Sequence, residues 1–284
     1  MKTLSGHTKP YAVLGHPIGH TLSPVMHNAS IQSLGLDAIY LAFDVHPDRL
    51  MEVLPAMQSM GFGGVNLTIP LKEVAFRGLK NLDASAQLLG AVNTVQFKDG
   101  GMIGHNTDGY GFLKAMDEAF GESIAGARVF VLGCGGAGRA VALMCAGQGV
   151  KELILAEVDE AKRHGVAAEL NKLYPDVLVT HAKEMVASCR AADVVVQATP
   201  VGMKQTDAPL LGPESFRAGQ RAFDLVYMYP ETVFMKQARL GGARAANGLG
   251  MLLHQGARAF HIWSGREPDI EVMRGALQKA VYKS

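Results

Sequence analysis

At 284 residues the chain exceeds one comfortable hydrophobic core, so two domains are the natural expectation. Hydrophobic residues make up 48% of it and charged residues 19%, which is typical of a globular protein with a filled interior. The net charge of +1, from 27 basic and 26 acidic side chains without a basic block, argues against binding to nucleic acid or an anionic membrane.

The three cysteines, Cys134, Cys145 and Cys189, lie far apart and form no C-x-x-C pair. They cannot make a complete disulfide set and lack the spacing of a zinc site, so we expect a reducing compartment and no metal. The stretch MKTLSGHTKPY lacks the apolar core of a signal peptide, and no apolar run approaches the ~18 residues of a membrane span. We therefore expect a cytoplasmic protein without a membrane partner.

In the first hundred residues, strand-like and helix-like segments alternate. Helices are expected from Ser23-Pro24, as N-cap and first helical position, and after Pro47. Residues 91–106 are typical of a hairpin that turns at 99–101. Three further stretches are predicted to be strands: 11–15, 38–43 and 64–69.

The last of these strands raises a question of function. Its apolar side chains alternate with Asn66 and Thr68, which gives one apolar and one polar face. Pro70 ends the strand because proline has no N–H to donate, and Lys72 follows two residues later. An edge strand with a wet face would explain this pattern, but the rest of the chain favours a functional site.

A second series begins with a helix from about Asp108. Its strands alternate with helical stretches, which is the pattern of a doubly wound parallel sheet. The apolar spacing in LGMLLHQGARAFHIWSG then predicts an amphipathic helix near the end of the chain. The predicted strands of this series are 128–132, 152–156, 177–181, 193–198, 221–226 and 243–246.

The stretch VFVLGCGGAGRAVAL places Gly133, Gly135 and Gly138 in G-x-G-x-x-G spacing after an apolar strand and at the start of a helix. These glycines permit a tight turn, close approach of the backbone to a pyrophosphate and close helix-to-strand packing. Free N–H groups and the helix dipole would then attract the phosphates. With this context on both sides, the motif predicts a dinucleotide site.

Glu157 ends the next strand, about 20 positions beyond the glycines, where a carboxylate would bind the 2′-hydroxyl of an adenosine ribose. A 2′-phosphate would call for arginine instead, and a carboxylate would repel it. The residue therefore favours NAD over NADP, although a solvated charge at a strand end would look the same.

Eight polar or glycine-rich stretches stand out in order along the chain: GHPIGHTLSPVMHN (15–28), GVNLTIPLK (64–72), GAVNT (90–94), GHNTDGYG (104–111), GCGGAGRA (133–140), ATPVGM (198–203), DLVY (224–227) and NGLGMLLHQ (247–255). Together they resemble the shikimate dehydrogenases and the related quinate/shikimate dehydrogenases over essentially the whole chain. Eight motifs in the right order are far more specific than any one of them.

The resemblance implies a two-domain α/β fold. Residues 1–109 would form a mixed-sheet substrate-binding domain, on which helices from 248–284 pack back, and 110–247 would form a Rossmann domain for NAD(P). The implied activity is reversible interconversion of 3-dehydroshikimate and shikimate in chorismate and aromatic amino-acid biosynthesis. The expected partner is a small-molecule substrate without nucleic acid, and a homodimer is the assembly considered.

The resemblance also assigns site residues position by position. Lys72 matches the catalytic lysine of the family and Asp108 its partner aspartate. Substrate contacts are implied for Thr21, Ser23, Thr68, Asn93, Tyr227 and Gln255. Cofactor contacts are implied for Gly133, Cys134, Gly135, Gly136, Ala137 and Gly138 in the phosphate loop, and for Glu157, Leu225, Gly248 and Met251.

Some positions depart from the family pattern. Thr21 stands where serine is usual and adds a methyl group that narrows the pocket. The triplet that often grips the 2′-phosphate of NADP is Ala156-Glu157-Val158, which resembles NAD-preferring quinate/shikimate enzymes. NADP is the family default, so Glu157 places that preference in doubt.

Oxidation of an alcohol needs a base and the reverse reaction an acid, and we expect Lys72 to serve as both, with Asp108 orienting it. His16, His20 and His27 are expected to have structural hydrogen bonds. Cys134, near a helix N-terminus, could have a lowered thiol pKa but is interpreted as a small tolerated side chain.

Two other functions stay open at this point. An NAD-dependent quinate/shikimate or aminoshikimate dehydrogenase would use the same residues on a similar substrate. A non-catalytic dinucleotide-binding module would not need Lys72 and Asp108. A methylene-tetrahydrofolate dehydrogenase shares the general two-domain plan, but the motifs TLSP and NLTIPLK suit a small polyhydroxylated acid better than a pterin.

Overall fold

A computed structural model describes residues 4–282, which divide into two compact units. The first unit runs up to Gly111 and resumes at Leu252, and the second comprises Phe112–Met251. The strands are β1 Lys9–Gly15, β2 Ala38–Asp44, β3 Gly64–Leu67, β4 Asn81–Leu82, β5 Thr94–Lys98, β6 Gly101–His105, β7 Arg128–Leu132, β8 Glu152–Ala156, β9 Leu178–His181, β10 Val194–Gln197, β11 Arg221–Asp224 and β12 Arg244–Asn247. The α-helices are α1 Ser23–Ser33, α2 Leu50–Ser59, α3 Leu71–Gly78, α4 Ala84–Leu89, α5 Asp108–Phe120, α6 Gly136–Gly147, α7 Glu160–Leu173, α8 Met185–Ala191, α9 Val233–Leu240, α10 Leu249–Ser264 and α11 Ile270–Tyr282.

The first unit contains a mixed sheet in the order β2-β1-β3-β5-β6-β4. Strand β1 is parallel to both β2 and β3, whereas β5 is antiparallel to β3 and β6. The predicted hairpin is confirmed: Lys98 pairs with Gly101 across the turn formed by Asp99 and Gly100. Gly101 has a φ of +122°, which explains the glycine at that position.

The second unit contains a parallel sheet in the order β12-β11-β10-β7-β8-β9. The strand order reverses beside β7, as in a doubly wound fold, where ligands bind beyond the carboxyl ends of the strands. Buried apolar side chains such as Phe130, Val195 and Phe223 fill its strands. The predicted fold class, a mixed sheet followed by a Rossmann-type sheet in an α/β chain, is confirmed.

Several boundaries differ from the sequence prediction by one or two residues, and two of the differences concern the candidate site. Helix α1 begins at Ser23 itself, with Leu22 at the N-cap and no side-chain cap. Strand β3 ends at Leu67, two residues before the predicted end, and it lies inside the sheet with all four of its residues buried. The alternative of an edge strand with a solvent-facing side is thus excluded for Asn66, whose amide is paired inside the unit.

Across residues 4–282, none of the helices combines the length and apolar content needed to cross a membrane. In the same range, no three His, Cys, Asp or Glu side chains are grouped in a way that could hold a metal ion.

Candidate active site

An ion pair joins the beginnings of two helices in the first unit. Nζ of Lys72, in the first turn of α3, lies 2.6 Å from Oδ2 of Asp108, the first residue of α5. The side chains keep 27% and 20% of their exposure, so the pair is partly desolvated yet open to a small molecule. The sequence placed Lys72 after a strand, whereas the structure places it in a helix, which fixes the direction of its side chain.

Asn93 connects this ion pair to neighbouring polar groups by hydrogen bonds. It precedes β5 and is 2% exposed. Its Nδ2 donates to Oδ1 of Asp108 at 2.9 Å and lies 3.4 Å from Oε1 of Gln255. Its Oδ1 accepts from the backbone N–H of Thr107 at 2.8 Å. Because both oxygens of Asp108 are engaged, the carboxylate has one orientation toward Lys72.

Asn106 fixes the same helix start from the other side, since its Oδ1 accepts from the backbone N–H of Asp108 at 2.9 Å. Its Nδ2 donates to the carbonyl of Ala91 at 2.9 Å. Through these contacts Asn106 caps the N-terminus of α5.

A buried chain of polar groups continues behind Asn93. Nδ2 of Asn66 donates to the carbonyl of Asn93 at 3.1 Å, and Oδ1 of Asn66 accepts from the Tyr40 hydroxyl at 2.7 Å. Burial raises the pKa of Tyr40 well above its ordinary value, and a hydrogen bond with Ser23 partly opposes that shift. Sequence reasoning missed Tyr40; its one signal was a phenol in an apolar strand, which needs a polar partner when buried.

The two predicted hydroxyls at the start of α1 lie close together. Oγ1 of Thr21 is 3.4 Å from Oγ of Ser23 and accepts from the Ser23 backbone N–H at 3.3 Å. Thr68 follows β3, and its backbone N–H donates to Leu14 of β1 at 2.9 Å. A Cβ on Gly15 would collide with the Thr68 methyl group, so the end of β1 lies directly against Thr68.

Tyr227 differs from the other predicted substrate contacts because it belongs to the second unit. It follows β11 and is half-buried, and this burial raises the pKa of its phenol. The remaining five, from Thr21 to Gln255, all belong to the first unit.

The three histidines differ from one another, and His20 is exposed. Nδ1 of His16 lies 2.6 Å from Asp44, in agreement with a structural hydrogen bond. The prediction is wrong for His27, which is fully buried with no hydrogen-bond partner for either ring nitrogen among the described residues. Its ring instead stacks on Tyr40, with centroids 4.2 Å apart. Burial lowers the pKa of His27 to about 3, so the ring is neutral.

In the second unit, the glycine loop joins β7 to α6. Gly133 has a φ of +98°, and a Cβ on Gly138 would collide with the carbonyl oxygen of Gly133. A Cβ on Gly135 or Gly136 would meet open space. Helix α6 begins at Gly136 without a side-chain cap, so its first N–H groups face this opening. This cradle suits a diphosphate.

Glu157, beyond the end of β8, reaches the same loop. Its Oε2 accepts from the backbone N–H of Cys134 at 2.8 Å, and its Oε1 accepts from that of Asp159 at 3.1 Å. The Cys134 N–H is the main cause that lowers the pKa of Glu157, which stays an anion. The amide of Cys134 is thus already engaged. Its thiol pKa is raised by burial to about 11, so the sequence-based idea of a lowered value is wrong.

Leu225 and Gly248 meet where β11 and β12 end. A Cβ on Gly248 would collide with the carbonyl oxygen of Leu225, so only glycine permits this approach. Met251 follows in the first turn of α10 and is half-buried. The three predicted nicotinamide contacts therefore occupy the carboxyl edge of the second sheet, which is where a doubly wound fold binds its ligand.

Asp224, just before Leu225, is fully buried. Its Oδ2 accepts from the Thr232 hydroxyl at 2.6 Å and its Oδ1 from the backbone N–H of Val226 at 3.0 Å. Burial raises the pKa of Asp224 to about 6 in spite of these donors. The carboxyl group therefore fixes the strand end that carries Leu225 and Tyr227.

Comparison with known proteins gives a consistent result. Residues 13–95 match the model of the shikimate dehydrogenase substrate binding domain, and residues 248–278 that of the shikimate 5′-dehydrogenase C-terminal domain. Shikimate dehydrogenase (NADP(+)) of Methanothermobacter thermautotrophicus is 38% identical over 281 residues, which cover 98% of this chain and 99% of that protein.

Two solved structures are similar in fold as well. Shikimate 5-dehydrogenase from Listeria monocytogenes, in complex with shikimate and NAD, has a TM-score of 0.90 at 33% identity and covers 98% of this chain and 99% of its own. Quinate dehydrogenase from Corynebacterium glutamicum, in complex with NAD, has a TM-score of 0.88 at 31% identity, with 96% and 99% covered. The chain therefore belongs to the shikimate dehydrogenase family.

Proposed function

We propose that this chain is an oxidoreductase that interconverts shikimate and 3-dehydroshikimate with a nicotinamide cofactor. Residues 1–109 with 248–284 would bind the substrate, and 110–247 the cofactor. The observation that carries the proposal is the partly buried Lys72–Asp108 pair, with Asn93 and Gln255 beside it. A non-catalytic dinucleotide-binding module would not need the Lys72–Asp108 pair.

In this reaction the protein has to orient the substrate and the cofactor and to transfer one proton. When bound, the nicotinamide supplies the hydride acceptor or donor. Lys72 would take the proton from the substrate C3 hydroxyl in oxidation and return it in reduction. Its positive charge would also stabilise the developing alkoxide. Asp108, tied to Asn93 through its other oxygen, would orient Lys72.

The hydroxyls of Thr21 and Ser23 would receive the substrate carboxylate. The amides of Asn93 and Gln255 and the hydroxyl of Thr68 would bind the ring hydroxyls, each of which can donate and accept. Tyr227, from the second unit, would contribute its phenol when substrate is bound. The methyl group of Thr21 would narrow the carboxylate end of this site.

The cofactor would bind the cradle of the glycine loop, with Gly135, Gly136 and Ala137 facing the phosphates. Leu225, Gly248 and Met251 would contact the nicotinamide. Glu157 supports NAD over NADP, because its ionised carboxylate would accept a ribose hydroxyl and repel a 2′-phosphate. NADP(+), named for the Methanothermobacter relative, is the alternative.

Steady-state kinetics on Lys72→Ala test the assignment. We expect kcat for shikimate oxidation to fall by at least ~10³-fold, as typical for loss of a general base with its charge. The Kd for the cofactor should stay within twofold. Lys80→Ala, an exposed lysine of the same unit, is the matched control and should behave as wild type. Near-normal turnover of Lys72→Ala would refute the proposal.

A second candidate is an NAD-dependent quinate/shikimate dehydrogenase, supported by Glu157 and by the likeness to the Corynebacterium enzyme. The values of kcat/KM for shikimate and quinate, each with NAD and NADP, separate the two. A Glu157→Gln variant should gain activity with NADP relative to NAD. We further propose a cytoplasmic homodimer, which light scattering on the purified protein would test.

A further inference from the structure

A cavity opens in the first unit beside the beginning of β1. It has a volume of about 230 Å³, and Lys9 and Tyr11, at the beginning of β1, form part of its lining. Thr68 lies against Gly15, at the other end of that strand. Tyr40, which also lines the cavity, connects it through Asn66 to Asn93 of the proposed substrate site. None of the residues assigned above to catalysis, substrate or cofactor lines it.

Five of the twelve residues that line the cavity have aromatic rings. Tyr11 stacks on Trp263 with centroids 5.5 Å apart, and His27 stacks on Tyr40 at 4.2 Å and lies 6.3 Å from Phe260. All five line the cavity. The ring planes within each stacked pair differ by 26° or less, which leaves parallel faces against which another flat ring can pack.

The polar part of the lining is mainly basic. Lys9 and Arg266 are both exposed and line the cavity, and neither has an ion-pair partner within residues 4–282. The one acidic lining residue, Asp37, already accepts a hydrogen bond from the Thr8 hydroxyl at 2.8 Å. Two uncommitted cations beside aromatic walls form the pattern that recognises a flat anion, because a guanidinium binds a carboxylate through two parallel hydrogen bonds.

We propose that this cavity binds a small single-ring aromatic carboxylate, with the ring packed against the side chains of Tyr11, Trp263 and Phe260 and the carboxylate at Arg266 and Lys9. The volume lies below the usual range for drug-sized ligands, which limits the ligand to about one ring. Because this cavity shares no lining residue with the site that would bind shikimate, the two ligands would bind at the same time.

The chain provides its own reporter, since Trp263 is its only tryptophan. The 284-residue protein is titrated with sodium phenylacetate without and with saturating shikimate, and Trp263 fluorescence is followed. We expect a saturable change. Phenylacetamide, which has the same ring without the charge, should bind at least tenfold more weakly. A change that is linear in ligand, equal affinity for the two probes, or loss of the signal with shikimate would each overturn the proposal.

Variants of the lining residues test whether phenylacetate binds in this cavity. Arg266→Gln should weaken phenylacetate binding at least threefold, whereas Lys279→Gln, an exposed cation on α11, should leave it unchanged. Ala38→Leu should fill the cavity and abolish binding while kcat stays as in wild type, and a thermal melt verifies that it is folded. Unchanged binding in Arg266→Gln or in folded Ala38→Leu would overturn the proposal.

Discussion

The hydroxyl of Tyr40 donates a 2.7 Å hydrogen bond to Oδ1 of Asn66, and both groups are buried in the first unit. Asn66 in turn donates to the Asn93 carbonyl. The two residues are 26 positions apart in the chain. The contact between Tyr40 and Asn66 therefore helps to hold Asn93, whose side-chain amide orients Asp108.

Tyr40→Phe should therefore affect both stability and turnover. Loss of the phenol leaves the buried Asn66 oxygen without its donor, which should cost about 1–3 kcal/mol of unfolding free energy. We expect kcat to fall several-fold, with KM for the cofactor unchanged. Urea unfolding and steady-state kinetics measure the two effects, and Tyr174→Phe in the second unit is the control. Wild-type stability in Tyr40→Phe would show that the contact contributes little.

Asp108→Asn tests the orienting role of the carboxylate. The amide can still meet Asn93, but the charge beside Lys72 is lost, so we expect kcat to fall about 10–1000-fold. The Kd for the cofactor and the melting temperature should change little, because Asp108 is partly exposed. A kcat within twofold of wild type would contradict this role.

Substitutions at two glycines of the loop distinguish the effect on packing from the effect on cofactor binding. Gly138→Ala should lower the melting temperature, because its methyl group collides with the Gly133 carbonyl. Gly136→Ala meets no protein atom and should leave the melting temperature unchanged. Both should weaken cofactor binding, the second by occupying the room for phosphate. Calorimetric melts and cofactor titrations test the pair, and equal melting temperatures would contradict the packing argument.

The cysteines should be inert in the folded protein. Burial raises the pKa of Cys134 to about 11 and those of Cys145 and Cys189 to about 12. With a pKa of about 11, only about one Cys134 thiol in a thousand is ionised at pH 8. The thiolate is the reactive form. A disulfide reagent should therefore modify the native protein slowly and, after unfolding, titrate all three thiols. Rapid reaction of one native thiol would contradict the burial of that cysteine.

Asp224 should make stability fall as the pH rises from about 4 to about 6. Its pKa is about 6 in the folded protein against an ordinary value of 3.8, so the folded state binds the proton more tightly. By linkage, about 3 kcal/mol of unfolding free energy should be lost across this window. The difference between wild type and Asp224→Asn isolates this effect in urea titrations at each pH. Parallel curves for the two proteins would contradict it.

The alternation of strands and helices and the glycine loop were predictable because both depend on local patterns. Runs such as RVFVL are typical of buried strands in a sheet covered on both faces, and Gly133 and Gly138 occupy positions where a side chain does not fit. Resemblance to a family then pointed to Lys72 and Asp108, which no local pattern would have paired. The structure brings them together across 36 positions of chain.

The rest depended on contacts that spacing does not encode. Asn66 has the pattern of a solvent-facing residue, and only the central position of β3 shows that its partner is Tyr40. His27 was expected to have a hydrogen bond because histidines usually do, but its neighbours are rings. The thiol of Cys134 lies near a helix N-terminus, yet burial and the neighbouring carboxylate outweigh the dipole.

The first unit is assembled from both ends of the chain. Helix α1 packs against α11, and Oγ of Ser33 donates to Asp269 at 2.7 Å. On the ribosome, residues 4–111 must therefore wait for the last segment to be translated before α1 is covered. Residues 112–251 have all six strands of their sheet by then. The unit with the glycine loop should thus mature first, and truncation before α11 should leave the nascent N-terminal portion exposed to chaperones and proteases.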